Sequence, residues 1–452
     1  MILKKNDIVN LEITGMTSEG NGVGKYEGMA VFVPMTAVGD VISARITKAQ
    51  KSFSYGIVEE IITPSKYRIC ADCQVFAKCG GCSFRHITYA AELLVKGNFV
   101  KDAFKRIGKF TIKPLEIIGS EENYYRNKAQ YPVANADGKA ICGFYAKRSH
   151  RVIPFTACKL QPKIFQEITD YIINFVNINH IPAYDEEKQT GILRHIYLRQ
   201  GYHSQEIMVC LVVTKDVSKQ MIYICNGLVE NFPNIKSVLL NINAKNTNVI
   251  LGSKNIFLCG NRSIFDTMCG NKIALSPFSF YQINTAQAER LYGIIADFSG
   301  LNGDESLMDL YCGAGTIGLY LSKNVKELLG VEVVEQAVKN ATENAALNKI
   351  SNAKFICGDA GEVSEKLAAD GKTPDIIVVD PPRKGCDEAT LSAILKMLPN
   401  KLVMVSCNPS TAARDCEILA KGGYALEKIQ PVDMFPRTNH VECVVLMSRV
   451  SK

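Results

Sequence analysis

Two side chains towards the carboxyl terminus, Cys407 and Glu442, are of the types that nucleophilic and general-base catalysis require. Cys407 directly follows the apolar run KLVMVS, and Glu442 directly precedes the apolar run CVVLM. A helix is predicted after Cys407, with Ser410 as its N-cap, and a nearby helix N-terminus can favour a thiolate. Each residue also has a structural interpretation, Cys407 as a small core residue and Glu442 as a solvated charge.

A glycine-rich segment, residues 309–318, follows the pattern G-x-G-x-x-G, in which glycines let the backbone approach a nucleotide. Glu332 ends the next predicted strand, Asp359 ends the one after, and Asp309 lies inside the first strand. Acids after successive strands suit S-adenosylmethionine, with one near the amino-acid moiety, one on the ribose and one on adenine. The same glycine pattern is the fingerprint of NAD sites, and a glycine turn without a ligand is a third interpretation.

A further strand is predicted to end in Asp380-Pro381-Pro382-Arg383. Two prolines fix the loop and remove two backbone donors, so the carboxylate of Asp380 is presented from a rigid position. Amino-group methyltransferases have a similar loop with an aromatic residue after the prolines, where this chain has Arg383.

These groups together favour one reaction. Carbon 5 of uracil is a poor nucleophile until a thiolate adds to carbon 6 and forms an enolate. Carbon 5 then accepts a methyl group from a sulfonium donor, a base removes its proton, and the cysteine is eliminated. In a folded RNA the target base must first be unstacked into the pocket.

The elements that must position these residues begin at about residue 285, where helical and strand-like runs start to alternate. Such alternation predicts a mostly parallel, doubly wound sheet, in which ligands bind beyond the carboxyl ends of the strands. The residues just after each strand are therefore the ones expected to carry the chemistry.

The first 62 residues predict a small barrel of the OB type, with the strands IVNLEIT, MAVFVP, VISARIT and SYGIVEEI. The segment Gly20–Gly24 is interpreted as a glycine turn between two of them. Barrels of this kind either bind RNA or are purely structural. Between the barrel and the doubly wound region, recurring strand-like runs predict a mixed α+β region.

The motifs resemble those of the RNA uracil-5 methyltransferase family, over nearly the whole chain. The resemblance implies that Cys407, in SerCysAsnPro, is the nucleophile and that Glu442, in PheProxThrxHisxGlu, is the base; Arg437 sits where family members vary and receives no role. Phe280 matches a family position near the target base. The resemblance and the glycine loop imply cofactor contacts by Gln282, Tyr311, Gly313, Glu332, Asp359 and Asp380.

The barrel resembles the TRAM module of the ribosomal-RNA branch of this family, which implies 23S ribosomal RNA as substrate. The expected architecture is a TRAM barrel (1–62), a central α+β domain with an iron-sulfur loop (63–265) and a Rossmann-like S-adenosylmethionine methyltransferase domain (266–452), with 93–118 packing against the last. A transfer-RNA uracil-5 methyltransferase, a non-catalytic RNA-binding scaffold and an NAD-dependent oxidoreductase are the alternatives. The sequence does not specify which uridine is modified, or whether one or two sites are served.

Four cysteines lie within thirteen residues, at Cys70, Cys73, Cys79 and Cys82. We call residues 70–82 the cysteine segment. Such clustering in a reducing compartment predicts a metal site, and the local spacing alone also fits zinc. The family resemblance implies a [4Fe-4S] cluster held by Cys73, Cys79, Cys82 and the distant Cys158, which leaves Cys70 as an extra cysteine.

Composition limits the class of protein. The chain has 452 residues, is 47% hydrophobic and 21% charged, and has a formal net charge of +7, which excludes a disordered tail or a small disulfide scaffold. No apolar run reaches the roughly 18 residues of a membrane span, so we expect no membrane partner. No signal peptide is visible, so we expect a cytoplasmic protein. We also expect a monomer. Three basic stretches, residues 126–128, 147–151 and 194–195, are interpreted as contacts to RNA phosphates, with Phe144 and Tyr145 available for stacking.

Overall fold

The amino-terminal part of the chain is a closed barrel in the computed structural model, which describes residues 3–450. Five strands form it in the order β1-β2-β3-β5-β4. Their bounds are Ile8–Met16 (β1), Asn21–Tyr26 (β2), Met29–Pro34 (β3), Val41–Ala49 (β4) and Phe53–Thr63 (β5). Alternate side chains such as Ile13, Val31 and Ile42 are fully buried inside it. The predicted OB-like barrel is therefore confirmed.

The interpretation of Gly20–Gly24 as a turn is wrong, because residues 21–26 form strand β2 between β1 and β3. A Cβ atom at Gly22 would come within 2.0 Å of Thr36 Oγ1, and one at Gly24 within 2.2 Å of Leu11 Cδ1. The glycines thus serve close packing inside the barrel rather than a change of chain direction.

A seven-stranded sheet follows, in the order β12-β11-β10-β9-β6-β7-β8. Its strands are Lys128–Ala136 (β6), Lys139–Tyr145 (β7), Val152–Pro154 (β8), Leu193–Gln200 (β9), Ile207–Val213 (β10), Ile235–Ile242 (β11) and Lys254–Gly260 (β12). The helices along this stretch are Tyr89–Arg106 (α1), Lys163–Ile178 (α2), Ser218–Met221 (α3) and Tyr223–Asn231 (α4). Every residue of β9 and β10 is buried, because α2 and α4 cover one face and the carboxyl-terminal part of the chain covers the other.

A hairpin, Ile264–Met268 (β13) and Asn271–Leu275 (β14), leads into a second seven-stranded sheet, ordered β17-β16-β15-β18-β19-β21-β20. Its strands are Ser306–Leu310 (β15), Glu327–Glu332 (β16), Ala353–Cys357 (β17), Ile376–Val379 (β18), Lys401–Ser406 (β19), Tyr424–Val432 (β20) and Glu442–Arg449 (β21). The helices are Thr285–Ser299 (α5), Thr316–Leu321 (α6, followed by a 3₁₀ turn at Ser322–Asn324), Glu335–Leu347 (α7), Ala360–Ala369 (α8), Glu388–Met397 (α9) and Pro409–Lys421 (α10). Strands β15 to β19 are parallel and β21 runs antiparallel to β19, so the predicted alternation of strands and helices is confirmed.

Helix α1 packs on this second sheet, although it precedes the first in sequence. Val100, Ala103 and Phe104 share a buried cluster with residues of α9, α10 and β21. The domain boundaries at residues 62 and 265 stay predictions. Residues 1–2 of the first predicted domain and residues 451–452 of the last lie outside the described part of the chain. Between residues 3 and 450, no helix combines the length and apolar character that crossing a bilayer requires.

Candidate functional site

Cys407 and Glu442 occupy opposing positions on neighbouring strands. Strands β19 and β21 pair antiparallel, and the last pair in the register is Ser406 with Cys443. One step further along each strand are Cys407 and Glu442, so their side chains leave the sheet at the same edge. This edge is the carboxyl end of the parallel strands, where doubly wound sheets bind their ligands.

Asn408 fixes the chain directly after Cys407. Its side-chain oxygen accepts from Ser410 N (3.1 Å) and caps helix α10, while Pro409 opens the helix. The prediction of Ser410 as the N-cap is therefore wrong, because the residue with extended backbone at the helix start is Asn408. Asn408 Nδ2 also donates to Arg383 O at 3.0 Å, which ties the nucleophile segment to the loop after β18.

Burial dominates the electrostatics of this edge. It raises the pKa of Cys407 to about 11, with Glu442 adding to the shift and Arg383 opposing it. It raises the pKa of Glu442 to about 8, with the Asp380 carboxylate adding to the shift and Arg383 again opposing it. Burial alone raises the pKa of Asp380 to about 7. Desolvation is thus the largest influence on the pKa of the thiol, and Arg383 is the group that favours its ionisation.

Sequence reasoning missed two side chains at this edge, Arg383 and His440. Arg383 Nη2 lies 3.1 Å from His440 Nδ1. Burial, followed by the charge of Arg383, lowers the pKa of His440 to about 4, so the ring is neutral and can accept from the guanidinium. The signal that could have identified Arg383 is its place directly after the rigid loop that carries Asp380.

The glycine loop after β15 is held by two acids, the fully buried Asp309 and the half-buried Glu332. Gly313 N donates to Glu332 Oε2, and Gly318 N donates to Asp309 Oδ2, both at 3.0 Å. Gly313 has φ +55° and Gly315 has φ +78°, a conformation that favours glycine. Asp309 is fully buried and its Oδ1 has no hydrogen-bond partner among the described residues. The loop therefore presents backbone at the carboxyl edge of the sheet, as a nucleotide site requires.

The structure gives each of the other predicted site residues its own environment: Phe280, predicted to lie near the target base, and the predicted cofactor residues Tyr311, Asp359 and Gln282. The Phe280 side chain is 63% exposed, and its Cδ1 would lie 3.9 Å from a Cβ placed on Gly313. The Tyr311 hydroxyl lies 3.0 Å from Thr390 Oγ1. Asp359 caps helix α8, accepting from two backbone N–H groups through Oδ1. Gln282 is half-buried, and its backbone oxygen accepts from Asn127 Nδ2.

A separate cavity of about 90 Å³ brings together four cysteines, three from the cysteine segment and one, Cys158, from far along the chain. Cys73, Cys79, Cys82 and Cys158 all line it, and each interacts electrostatically with another of the four. Cys70 is exposed and does not line the cavity. Within residues 3–450, no three His, Cys, Asp or Glu side chains are placed closely enough to hold a single metal ion.

Two of the three basic stretches predicted to contact RNA are buried or half-buried rather than exposed. Arg194 and His195 are buried, and Arg194 Nη1 donates to the carbonyl oxygens of Asn243 (2.9 Å) and Lys245 (2.7 Å). The stretch at 126–128 is buried or half-buried, because it lies between the cysteine cavity and strand β9. Residues 147–151 are all exposed at the end of the β7–β8 hairpin.

The chain is similar to known proteins over almost its full length. Residues 88–450 match the tRNA (uracil-5-)-methyltransferase family, and residues 3–58 match the TRAM domain. An uncharacterised RNA methyltransferase of Halalkalibacterium halodurans is 42% identical over 449 residues, covering 98% of both chains. One from Listeria monocytogenes is 42% identical over 447 residues, covering 99% of this chain and 98% of that protein.

Among solved structures, the tRNA (uracil-54, C5)-methyltransferase of Pyrococcus abyssi, in complex with S-adenosyl-L-homocysteine, superposes with a TM-score of 0.78. It is 26% identical, and the match covers 97% of this chain and 100% of that one. The match therefore includes the barrel as well as both sheets. The family match over residues 88–450 and the TRAM match before it establish that this chain belongs to the TRAM-containing RNA uracil-5 methyltransferase family.

Proposed function

We propose that this protein methylates carbon 5 of a uridine in 23S ribosomal RNA, with S-adenosylmethionine as methyl donor and through a covalent adduct with Cys407. The observation that carries the proposal is the register that places Cys407 opposite Glu442 at the carboxyl edge of the sheet. That edge also carries the glycine loop after β15, so the nucleophile, the base and the proposed donor site lie at the same edge of the sheet.

The thiolate of Cys407 adds to carbon 6 of the uracil ring, and the electron pair of the 5,6 double bond moves towards carbon 5 and O4. Carbon 5 then attacks the methyl group of S-adenosylmethionine, the bond between that methyl group and the sulfonium sulfur breaks, and S-adenosylhomocysteine leaves with the electron pair on its sulfur. Glu442 then removes the proton from carbon 5, the double bond re-forms, and the carbon–sulfur bond to Cys407 breaks. Arg383 favours the thiolate that starts the sequence.

The donor site that we propose consists of Gln282, Tyr311, Gly313, Glu332, Asp359 and Asp380, with Phe280 facing the target base. The braced Gly313 loop and the half-buried Glu332 fit a nucleotide, because they offer backbone and carboxylate at one strand end. Asp359 uses Oδ1 for the helix cap, so Oδ2 is the atom we assign to the ligand. The S-adenosyl-L-homocysteine bound by the Pyrococcus relative, which is what S-adenosylmethionine becomes after methyl transfer, supports the same donor.

We propose further that Cys73, Cys79, Cys82 and Cys158 hold a [4Fe-4S] cluster. Their donor set fits, because four thiols from two separate segments line one cavity, bordered by the cations Arg85 and Arg126. Because the four proposed ligands lie far along the chain from Cys407, we assign the cluster a structural or RNA-positioning role rather than a role in catalysis.

Ribosomal and transfer RNA are the two substrates to separate. The TRAM barrel favours ribosomal RNA through the resemblance of the chain to that branch, whereas the Pyrococcus tRNA enzyme, matched over 97% of this chain, favours transfer RNA. Unmodified 23S and transfer RNA transcripts, each incubated with the protein and S-adenosylmethionine and then mapped by mass spectrometry, decide between them. We expect 5-methyluridine in the 23S transcript; methylation of transfer RNA alone would refute the substrate, and methylation of neither would refute the activity. We also propose that the protein acts as a monomer and in the cytoplasm.

A further inference from the structure

The loop that leads into Glu442 is held by parts of the chain outside its own sheet. Residues 433–441, the β20–β21 loop, connect β20 to the strand that begins at Glu442. Four consecutive carbonyl groups in this loop each accept a hydrogen bond from a different element. The donors are Asn284 Nδ2 to Met434 O (3.1 Å), Lys96 Nζ to Phe435 O (3.1 Å), Tyr125 OH to Pro436 O (3.0 Å) and Ser83 N to Arg437 O (2.8 Å).

Of these four donors, Lys96 on helix α1 is a charged group whose burial carries a large desolvation penalty. Its side chain is fully buried and lies 2.7 Å from both Glu92 Oε1 and Asp433 Oδ1, two carboxylates that are themselves fully buried. Glu92 Oε1 also accepts from Arg437 N at 2.7 Å. A buried ammonium between two carboxylates is retained only where its geometry is well satisfied, and here the geometry fixes both ends of the segment 433–437.

The segment directly after the cysteine segment reaches the same loop. Ser83 N and Phe84 N both donate to Arg437 O, and Ser83 Oγ donates to Asn439 Oδ1 at 3.2 Å. Asn439 Nδ2 in turn donates to Ser18 O of the barrel. The loop is therefore the place where the barrel, the cysteine segment and helix α1 meet the strand of Glu442.

The loop also carries His440, whose ring packs edge-on against Phe435 and lies beside Arg383. A shift of the loop therefore moves both His440 and the entry of the chain into Glu442. Proton removal demands a base within hydrogen-bond reach of the proton, and a misplacement of about 1 Å can cost about 100-fold in rate. Cys407 itself is carried by β19 and α10, which these hydrogen bonds do not touch, so a shift of the loop reaches the addition step only through the contact between His440 and Arg383.

We propose that Lys96 and Tyr125 are positioning residues for Glu442, so that the region between residues 83 and 125 affects the rate of proton removal from carbon 5 far more strongly than the rate of adduct formation. This inference rests on the proposed function. It assigns to α1 and to the segment after Cys82 a part in catalysis that their distance in sequence from Cys407 does not reveal.

A matched pair of variants tests the inference. Tyr125 and Tyr424 are both buried, and the hydroxyl of each donates to a proline carbonyl, Pro436 O (3.0 Å) and Pro399 O (2.9 Å) respectively. Tyr125→Phe and Tyr424→Phe each remove one such bond, but only the first lies at the β20–β21 loop. Single-turnover reactions with substrate RNA, quenched in denaturant, measure formation and decay of the covalent protein–RNA adduct separately.

We expect Tyr125→Phe to slow adduct decay about fivefold and Lys96→Met to slow it about 100-fold, with formation changed less than threefold in both. Tyr424→Phe should change neither step. Wild-type decay in Tyr125→Phe, or equal slowing of both steps, would overturn the inference even if Lys96→Met fails to fold. If the wild-type protein itself forms no adduct, the proposed function fails, and this inference with it.

Discussion

The guanidinium of Arg383 lies 3.1 Å from Nδ1 of His440, at the edge of the sheet that carries Cys407. The neutral imidazole accepts from the cation and keeps it near the thiol, where its charge opposes the effect of burial on the pKa of Cys407. Arg383 is thus the counter-charge for the thiolate that the half-buried Cys407 must form to react.

We expect Arg383→Met to raise the pKa of Cys407 further and to slow its alkylation by iodoacetamide several-fold at pH 8.5, because only the thiolate reacts. Mass spectrometry of the peptide that contains Cys407 separates this thiol from the others. Lys384→Met is the control, since Lys384 is the next residue, is exposed and carries the same charge. Equal rates for Arg383→Met and the wild type would contradict the assignment.

Removal of the nucleophile should abolish all chemistry. Cys407→Ala is expected to lower methylation by at least about 1,000-fold and to leave 5-fluorouridine RNA unbound after denaturation, because no carbon–sulfur bond can form. With the wild-type protein, the same RNA should stay covalently attached, since fluorine cannot leave carbon 5 as a proton does. Cys259→Ala, a half-buried cysteine of the first sheet, serves as control and should behave as the wild type. Full methylation by Cys407→Ala would exclude the mechanism.

Replacement of the base should separate methyl transfer from release. Glu442→Gln keeps the shape of the side chain but cannot accept a proton, so we expect methylated RNA to accumulate as a covalent adduct with release slowed at least about 100-fold. Denaturing gels with labelled RNA measure this accumulation. Rapid release of product by Glu442→Gln would show that another group removes the proton.

The pH dependence of the same step follows from the raised pKa of Glu442, about 8. Because the carboxylate is the active form, adduct decay should accelerate as pH rises from 6 through 8, reach about half its maximal rate near the pKa, and level off about one pH unit above it. The stability of the unliganded protein should change in the opposite direction. A carboxyl whose folded-state pKa exceeds its unfolded value stabilises the fold fully below the unfolded value and loses this stabilisation as pH rises through the folded value. The Tm of Glu442→Gln should therefore exceed that of the wild type at pH 8 by more than at pH 5, and a constant difference would contradict the assignment.

Strand ends and apolar alternation in the sequence predict most of this architecture, since a parallel sheet places the residues after its strands at one edge. Prediction from sequence is wrong where a residue type is typical of two different structural roles. The glycines at 22 and 24 are typical of a turn, yet they lie in a strand because Thr36 and Leu11 leave no room for a Cβ. Arg194 is typical of a phosphate contact, yet it binds carbonyl groups inside the protein.

Long-range partners explain the other omissions. Arg437 receives no role from its sequence position, but its backbone N–H and C=O groups bind Glu92 and Ser83, each more than 340 residues away in the chain. No local pattern reports such a contact, because its geometry depends on how α1 packs on the second sheet. The same holds for Arg383, whose proximity to His440 follows from the neighbouring positions of β18, β19 and β21.

The cysteine cavity makes a prediction that does not depend on methylation. Protein purified without oxygen should contain about four iron and about four sulfide per chain, with the broad visible absorption of a cluster. Cys158→Ser should lose most of this iron, because it removes the ligand contributed from outside the cysteine segment. Cys70→Ser is the matched control and should keep it, since Cys70 is exposed and away from the cavity. Zinc in place of iron, or equal loss in both variants, would refute the assignment.

The exposed end of the β7–β8 hairpin is the basic stretch that remains available to RNA. Lys147, Arg148 and Arg151 are exposed there, beside a bridge from Ala146 to Cys79 of the cysteine segment. Replacing the three with alanine should weaken RNA binding and reduce the slope of log K against log salt by roughly 0.7–0.9 per lost phosphate contact. Filter binding at several salt concentrations measures both quantities.

The control for this variant removes the same charge elsewhere. Lys326, Lys354 and Lys372 are exposed at the amino ends of β16, β17 and β18, on the opposite edge of the second sheet from Cys407. Their triple alanine variant changes net charge equally, so a loss caused only by long-range attraction would be the same in both proteins. A contact surface at the hairpin requires a larger fall in affinity and in salt slope for the 147–148–151 variant. Identical slopes would show that this hairpin does not touch RNA phosphates.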